Sequence, residues 1–140
     1  MQFEDALDAQ LELQVKSFKA DPRFLSDPEK LEWIRWNVLA LEDELHEALA
    51  ETGWKPWATS QHINRDAFIG ELVDAFHFLM NLMLITNCTA AEFLDRYAEK
   101  RGINAARQAA GYDGISSKCS VCKRALDDPS VNCTSSNCVA

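Results

Sequence analysis

Glu71 to Leu84 reads ELVDAFHFLMNLML, and with Phe68 and Ile69 before it and Ile85 after it this segment is apolar on nearly every side of a helical wheel. A helix so composed belongs at the centre of a fold, so Glu71 and Asp74 are the anomaly within it. Carboxylates in apolar surroundings are costly to desolvate unless they are paired or hold a metal.

Upstream, Pro28 to Thr52 shows helical periodicity, with Ser26 or Asp27 as cap and Pro28 in the first turn. Its stripe Leu31, Ile34, Val38, Leu41, Leu45 and Leu49 is expected to be buried. Residues three, four and seven apart share a face, which places Asn37, Ala40, Glu44, Glu47 and Glu51 in one sector beside that stripe. Taken alone, Glu42, Asp43, Glu44, Glu47 and Glu51 read as the solvated side of an amphipathic helix. The second acidic pair changes that reading. Glu44/Glu47 and Glu71/Asp74 offer only oxygen ligands, and like charges so placed repel unless a cation lies between them. Such a set suits Mg²⁺, with Mn²⁺ as a substitute.

Further out, Glu4 to Lys19 predicts a first helix, broken by Asp21-Pro22 and Asp27-Pro28. Gly53 to Asn64 predicts a loop, Asp66 to Asn87 the central helix, and Thr89 caps a fourth helix that runs to Arg101. Gly102 then separates off a short stretch from Asn104 to Ala110. No segment before residue 111 alternates with period two between turns, so the expected fold is all-α. It is a bundle of four to five helices whose core is shared across an oligomer, because the central helix is apolar on more sides than its companions can cover. The expected division is a helical domain at 1–112 and a Cys-rich appendage at 113–140.

The composition, 47% hydrophobic and 26% charged over 140 residues, is that of one packed domain with a short addition. A net charge of -8 argues against partners held by a basic surface, so nucleic acid and anionic membranes are not expected. The acidic N-terminus MQFEDALDAQ does not read as a secretory signal, and no apolar run reads as a membrane span, the longest being Ala75 to Thr86. A cytoplasmic protein is expected, in the host cytoplasm if viral. Of five cysteines, Cys88 stands alone and reads as a buried or capping-region thiol, not a nucleophile. Cys119, Cys122, Cys133 and Cys138 crowd into the tail, where that spacing favours a structural Zn²⁺ site over disulfides.

The run NVLALEDELHEALAETGWKPW, Asn37 to Trp57, followed by ELVDAFHFLMNLML and by KRGINAARQAAGY, Lys100 to Tyr112, resembles the dimeric all-α dUTPases within the MazG-like pyrophosphohydrolase superfamily, including its phage members. Their signature is a Glu-x-x-Glu helix and a later Glu-x-x-Asp helix. The resemblance implies that Glu44, Glu47, Glu71 and Asp74 hold magnesium around a triphosphate, with Glu47 also orienting the attacking water. It places Lys55, between Trp54 and Trp57, at phosphate, and Lys100, Asn104, Arg107 and Tyr112 as further substrate contacts. Without it, Lys55 reads as a loop lysine, the two tryptophans as core closure, and the later residues as surface polars. Gln14 follows from the family's use of Gln and Asn on the first helix, where this chain has Gln10, Gln14 and then Ser17. Asn81 is placed to hydrogen-bond the sugar, while His77 reads as a satisfied core histidine. The implied reaction is dNTP + H₂O to dNMP + pyrophosphate, directed at dUTP or dCTP, by a dimer or tetramer. The alternatives are a dGTP- or other dNTP-directed MazG-like enzyme and, in a different class, a non-enzymatic helical adaptor with a zinc knuckle.

Overall fold

The structure is a computed structural model that describes residues 1–116 and 118–127. Within them are four α-helices: α1 at Phe3–Phe18, α2 at Asp27–Ala50, α3 at Arg65–Ile85 and α4 at Ala90–Ala109. Among the described residues there is no β-strand, only the isolated bridges Thr52 to Ile63 and Lys118 to Ala125. Two compact units result, Met1–Ala90 and Ala91–Ala140. That boundary is one of contacts; the boundary at residue 112 is one of composition and family likeness.

In the first unit α1 and α2 start where the sequence supplies acceptors. Gln2 N donates to Asp5 Oδ2 at 2.7 Å, and Ser26 N donates to Glu29 Oε2 at 2.8 Å, each half of a capping box that satisfies orphan donors. Between α1 and α2 lies a 3₁₀ turn, Pro22–Phe24, that periodicity could not announce in so short a piece. Asp21 makes it, accepting from Arg23 N at 3.0 Å while the Arg23 guanidinium closes on the same carboxylate. The loop from α2 to α3 is zipped at its base: Gly53 N donates to His62 O at 2.9 Å and Asn64 N to Glu51 O at 2.9 Å. Glycine is required at 53, since a Cβ there would lie 2.0 Å from Ser60 O.

This closure sends α3 back along α2, its main packing partner, with α1 and the 3₁₀ turn also against α3. Ala75, Met80, Met83, Leu84 and Ile85 form the buried part of α3, and Ala48 and Leu7 complete the core. The α1 face turned inward carries two glutamines, Gln10 and Gln14, beside Leu7.

Four expectations change. Leu31, Val38, Leu45 and Leu49 of α2 are exposed, Leu31 at 65%, as are Ile69, Leu72, Val73 and Phe76 of α3. The periodicity correctly marks apolar faces, but nothing among the described residues covers them. Trp54 and Trp57 do not close the core either; Trp57 is 77% exposed. The fourth helix continues through Gly102 to Ala109, because one glycine costs a 20-residue helix only about 1 kcal/mol. Finally, α3 is long and apolar enough to cross a membrane, with about a third of it buried. Core helices pass the same test, and α3 packs on α1 and α2 and carries Glu71 and Asp74, which a lipid-facing helix would not.

Candidate active site

Antiparallel packing of α2 on α3 brings the acids of the two helices together. One oxygen each from Glu44, Glu47 and Glu71 lies within 4.8 Å of the others, with Glu44 and Glu71 half-buried and Glu47 exposed. Asp74, one turn further along α3, is exposed and does not belong to this trio, although its charge acts on Glu44. The expectation that both α3 acids sit inside a buried helix therefore holds only in part for Glu71 and not for Asp74, which is exposed. Burial, then the charges of Glu47, Asp74 and Glu71 and a hydrogen bond with Glu71, push the Glu44 carboxyl above its usual range. Three carboxylates with no nitrogen or sulfur donor form the set a hard divalent cation takes, and a cation there would reverse the repulsion.

Beside the acids opens a cleft of about 350 Å³ lined by Glu44, Asp74, His77, Gln10, Gln14 and Asn81. A smaller cavity of about 180 Å³ shares Gln14, Phe78 and Asn81 with it and adds Phe18, Trp33 and Trp36. A directed chain of hydrogen bonds forms the floor. His77 Nδ1 lies 2.6 Å from Gln10 Oε1, an acceptor, so the ring donates from Nδ1. Gln10 Nε2 donates to Asn81 Oδ1 at 2.7 Å, Asn81 Nδ2 to Asn37 Oδ1 at 2.8 Å, and Asn37 Nδ2 to Trp33 O at 2.8 Å. These bonds tie α1, α3 and α2 together and satisfy three buried amides. His77 is half-buried and partnered, as a core histidine should be.

Gln14 differs from them. It is 7% exposed, lines both cavities, and has no side-chain hydrogen bond among the described residues. A buried amide without a partner costs about 1–3 kcal/mol, which a fold tolerates where a ligand supplies the bonds. Asn81, by contrast, spends its amide on the chain of hydrogen bonds. The spacing of Gln10, Gln14, Asn37 and Asn81 on otherwise apolar faces was the signal for this network; the pairings themselves depend on how α1 packs.

Lys55 is exposed and lines neither cavity; its Nζ lies 5.9 Å from the Trp54 ring centroid. In the second unit Lys100 and Asn104 share a face of α4. Arg107 is held by Asp127, Nε donating to Oδ2 at 2.7 Å, and stands 5.7 Å from the Tyr112 ring centroid. Sequence reasoning had no sign of the Asp127 contact, which lies 20 positions away along the chain. Cys119 is buried and Cys122 half-buried. Cys133 and Cys138 lie outside the described residues.

An all-α fold with a carboxylate trio across two antiparallel helices, beside a cleft lined by amides and aromatic rings, offers oxygen ligands suited to a divalent cation. A family profile described as dUTPase matches residues 2–93, well over half of the chain, and the chain belongs to that family, the dUTPase-like, MazG-type all-α proteins. Membership implies a nucleoside triphosphate hydrolase of the dUTPase-like type. No curated protein and no solved structure matches the chain.

Proposed function

We propose that this protein is a Mg²⁺-dependent pyrophosphohydrolase converting a pyrimidine deoxynucleoside triphosphate, dUTP or dCTP, and water to the monophosphate and pyrophosphate. The observation that carries the reading is the trio Glu44, Glu47 and Glu71 beside a cleft lined by Gln14, which is buried and without a side-chain hydrogen bond among the described residues. Glu44, Glu47, Glu71 and Asp74 would hold the metal, Mn²⁺ serving in place of Mg²⁺. Bound there, the cation neutralises charge on the triphosphate and its leaving group. Glu47, the exposed member of the trio, orients the attacking water and accepts its proton. The water oxygen bonds to the α-phosphorus, the bond from that phosphorus to the bridging oxygen breaks, and pyrophosphate departs. Gln14 offers both a donor and acceptors to a base edge, and the small cavity between Trp33, Phe78 and Phe18 suits a single pyrimidine ring. Lys55, Lys100, Asn104, Arg107 and Tyr112 are assigned to the phosphates, and the working form is a dimer or tetramer.

The test is a panel of natural dNTPs with Mg²⁺, the products separated by ion-exchange chromatography. Monophosphate and pyrophosphate are expected from dUTP or dCTP, and Glu47→Gln or Asp74→Asn is expected to lower turnover by several orders of magnitude. Diphosphate and orthophosphate as products, or no turnover across the panel, rules the reading out.

A further inference from the structure

His77 is joined to the protein through one ring nitrogen. Nδ1 pairs with Gln10 Oε1 at 2.6 Å, while Nε2 makes no hydrogen bond among the described residues, although the ring lines the cleft. Which of the two nitrogens carries the proton is decided at the far end of the hydrogen-bond chain. There Asn37 meets Trp33 O, a backbone carbonyl that can only accept, at 2.8 Å. Asn37 must therefore donate through Nδ2 and accept through Oδ1. That obliges Asn81 to donate to Asn37, Gln10 to donate to Asn81, and His77 Nδ1 to donate to Gln10. Turning every amide over would set Asn37 Oδ1 against the Trp33 carbonyl, acceptor on acceptor. One main-chain oxygen on α2 thus fixes the tautomer of a ring on α3, and in the neutral ring Nε2 is left as a bare lone pair.

The place of that lone pair along α3 says what it meets. His77 follows Asp74 by three residues and precedes Asn81 by four, so the ring stands ~5 Å, or one turn of helix, from each. Glu44 and Asp74 are the acids of the cleft, on the side proposed for the cation and the phosphates. Gln14 and Asn81 are residues that the cleft shares with the small cavity proposed for the base. In a nucleotide the sugar joins phosphate to base, so the deoxyribose comes level with His77. A deoxyribose in a 5′-triphosphate carries one hydroxyl, at C3′, and a hydroxyl proton needs an acceptor. The carboxylates are ligands of the cation in this reading, and Asn81 Oδ1 already accepts from Gln10. His77 Nε2 is the acceptor that α3 has left at this level.

We infer that His77 is a substrate-binding residue whose Nε2 accepts a hydrogen bond from the 3′-hydroxyl of the deoxyribose, the amide chain holding the ring in the Nδ1-protonated form that this contact requires. The inference rests on the pyrophosphohydrolase reading and extends it from base and phosphates to the sugar. It also gives the buried chain of amides a role beyond stability, since the chain sets which face of an imidazole the substrate meets.

Long-range ¹H–¹⁵N correlation spectra of the ligand-free protein in alkaline buffer should show the His77 ring protonated at Nδ1 and bare at Nε2. With Mg²⁺, the 2′,3′-dideoxy analogue of the dNTP that turns over best should have a kcat/KM about tenfold to a hundredfold below that of the dNTP itself, the cost of leaving an acceptor unpaired in the cleft. His77→Asn keeps a donor where Nδ1 stood and removes Nε2. It should retain the helical circular dichroism of the parent and bring the two kcat/KM values together, by lowering that of the dNTP and sparing that of the analogue. A ring protonated at Nε2, an analogue processed as well as the dNTP by the parent, or a His77→Asn protein that keeps the full discrimination overturns the assignment and leaves the hydrolase standing. Failure of every natural dNTP to turn over removes both readings together.

Discussion

Gln14 separates two kinds of buried polar group. Asn37, Gln10 and Asn81 hydrogen-bond to one another and hold three helices in register; Gln14 is as deeply buried and hydrogen-bonds to nothing described. The first kind stabilises the fold, whereas the second costs stability and has to be justified by a ligand. Gln14→Leu should therefore leave the denaturation midpoint unchanged or raise it, since the variant removes an orphan amide. It should also lower kcat/KM for the preferred dNTP about tenfold to a hundredfold and flatten the ranking of the natural dNTPs, because a site built to hydrogen-bond a base loses its discrimination with the bond. Steady-state kinetics on the dNTP panel checks this. A variant that keeps both the parent's rate and its ranking would remove Gln14 from base reading. At this scale the sequence was legible as residue type: Glu71 and Asn81 stood out on a nearly all-apolar helix, Glu44 and Glu47 gained meaning from that second acidic pair, and Gln14 came from the family resemblance. Their division of labour was not, because whether an amide is spent on its neighbours depends on distances between helices that no spacing along one helix contains.

Among the elements, α4 shows why a boundary is harder to read than a helix. Gly102 looked like a stop, and Thr89, Lys100 and Arg107 gave signals compatible with one helix or two. The helix runs through the glycine because neighbours on both sides, Arg101 and Ile103, keep their backbone bonds, and the local penalty is small against the length of the element. A methyl group at position 102 would meet nothing within 4 Å. Gly102→Ala should thus stabilise the protein by about 0.5–1 kcal/mol, by removing backbone freedom from the unfolded chain. Urea denaturation followed by circular dichroism measures it; destabilisation would mean that position 102 is covered by something outside the described residues. The 3₁₀ turn at Pro22–Phe24 is the opposite case, too short for periodicity and set by one side chain, Asp21. Helix α2 was read with the right phase and the wrong burial. Phase is a property of the sequence, but burial is a property of what lies opposite.

At the scale of the whole molecule, those uncovered faces become the strongest constraint on how it works. Ile69, Leu72, Val73 and Phe76 recur at helical spacing along the first half of α3, and Leu31, Val38 and Leu45 recur every seven residues along α2; all are exposed in the single chain. Stripes of this width on the two helices that carry the carboxylates are more than scattered surface leucines, and the dimer or tetramer proposed above would cover them. A symmetric partner built from the same chain is the economical cover, since one self-complementary patch then buries both copies. Light scattering at micromolar concentration should give a dimer or a tetramer. Val73→Glu should shift the mass toward monomer, because a carboxylate buried at the interface without a partner costs several kcal/mol. Glu71 and Asp74 lie on the same helix as this stripe, so the variant should lose turnover along with the partner, and both should recover together as protein concentration rises. A stable monomer in the parent would leave the stripes without a partner of this kind. A Val73→Glu protein that remains a fully active dimer would place the interface on another face.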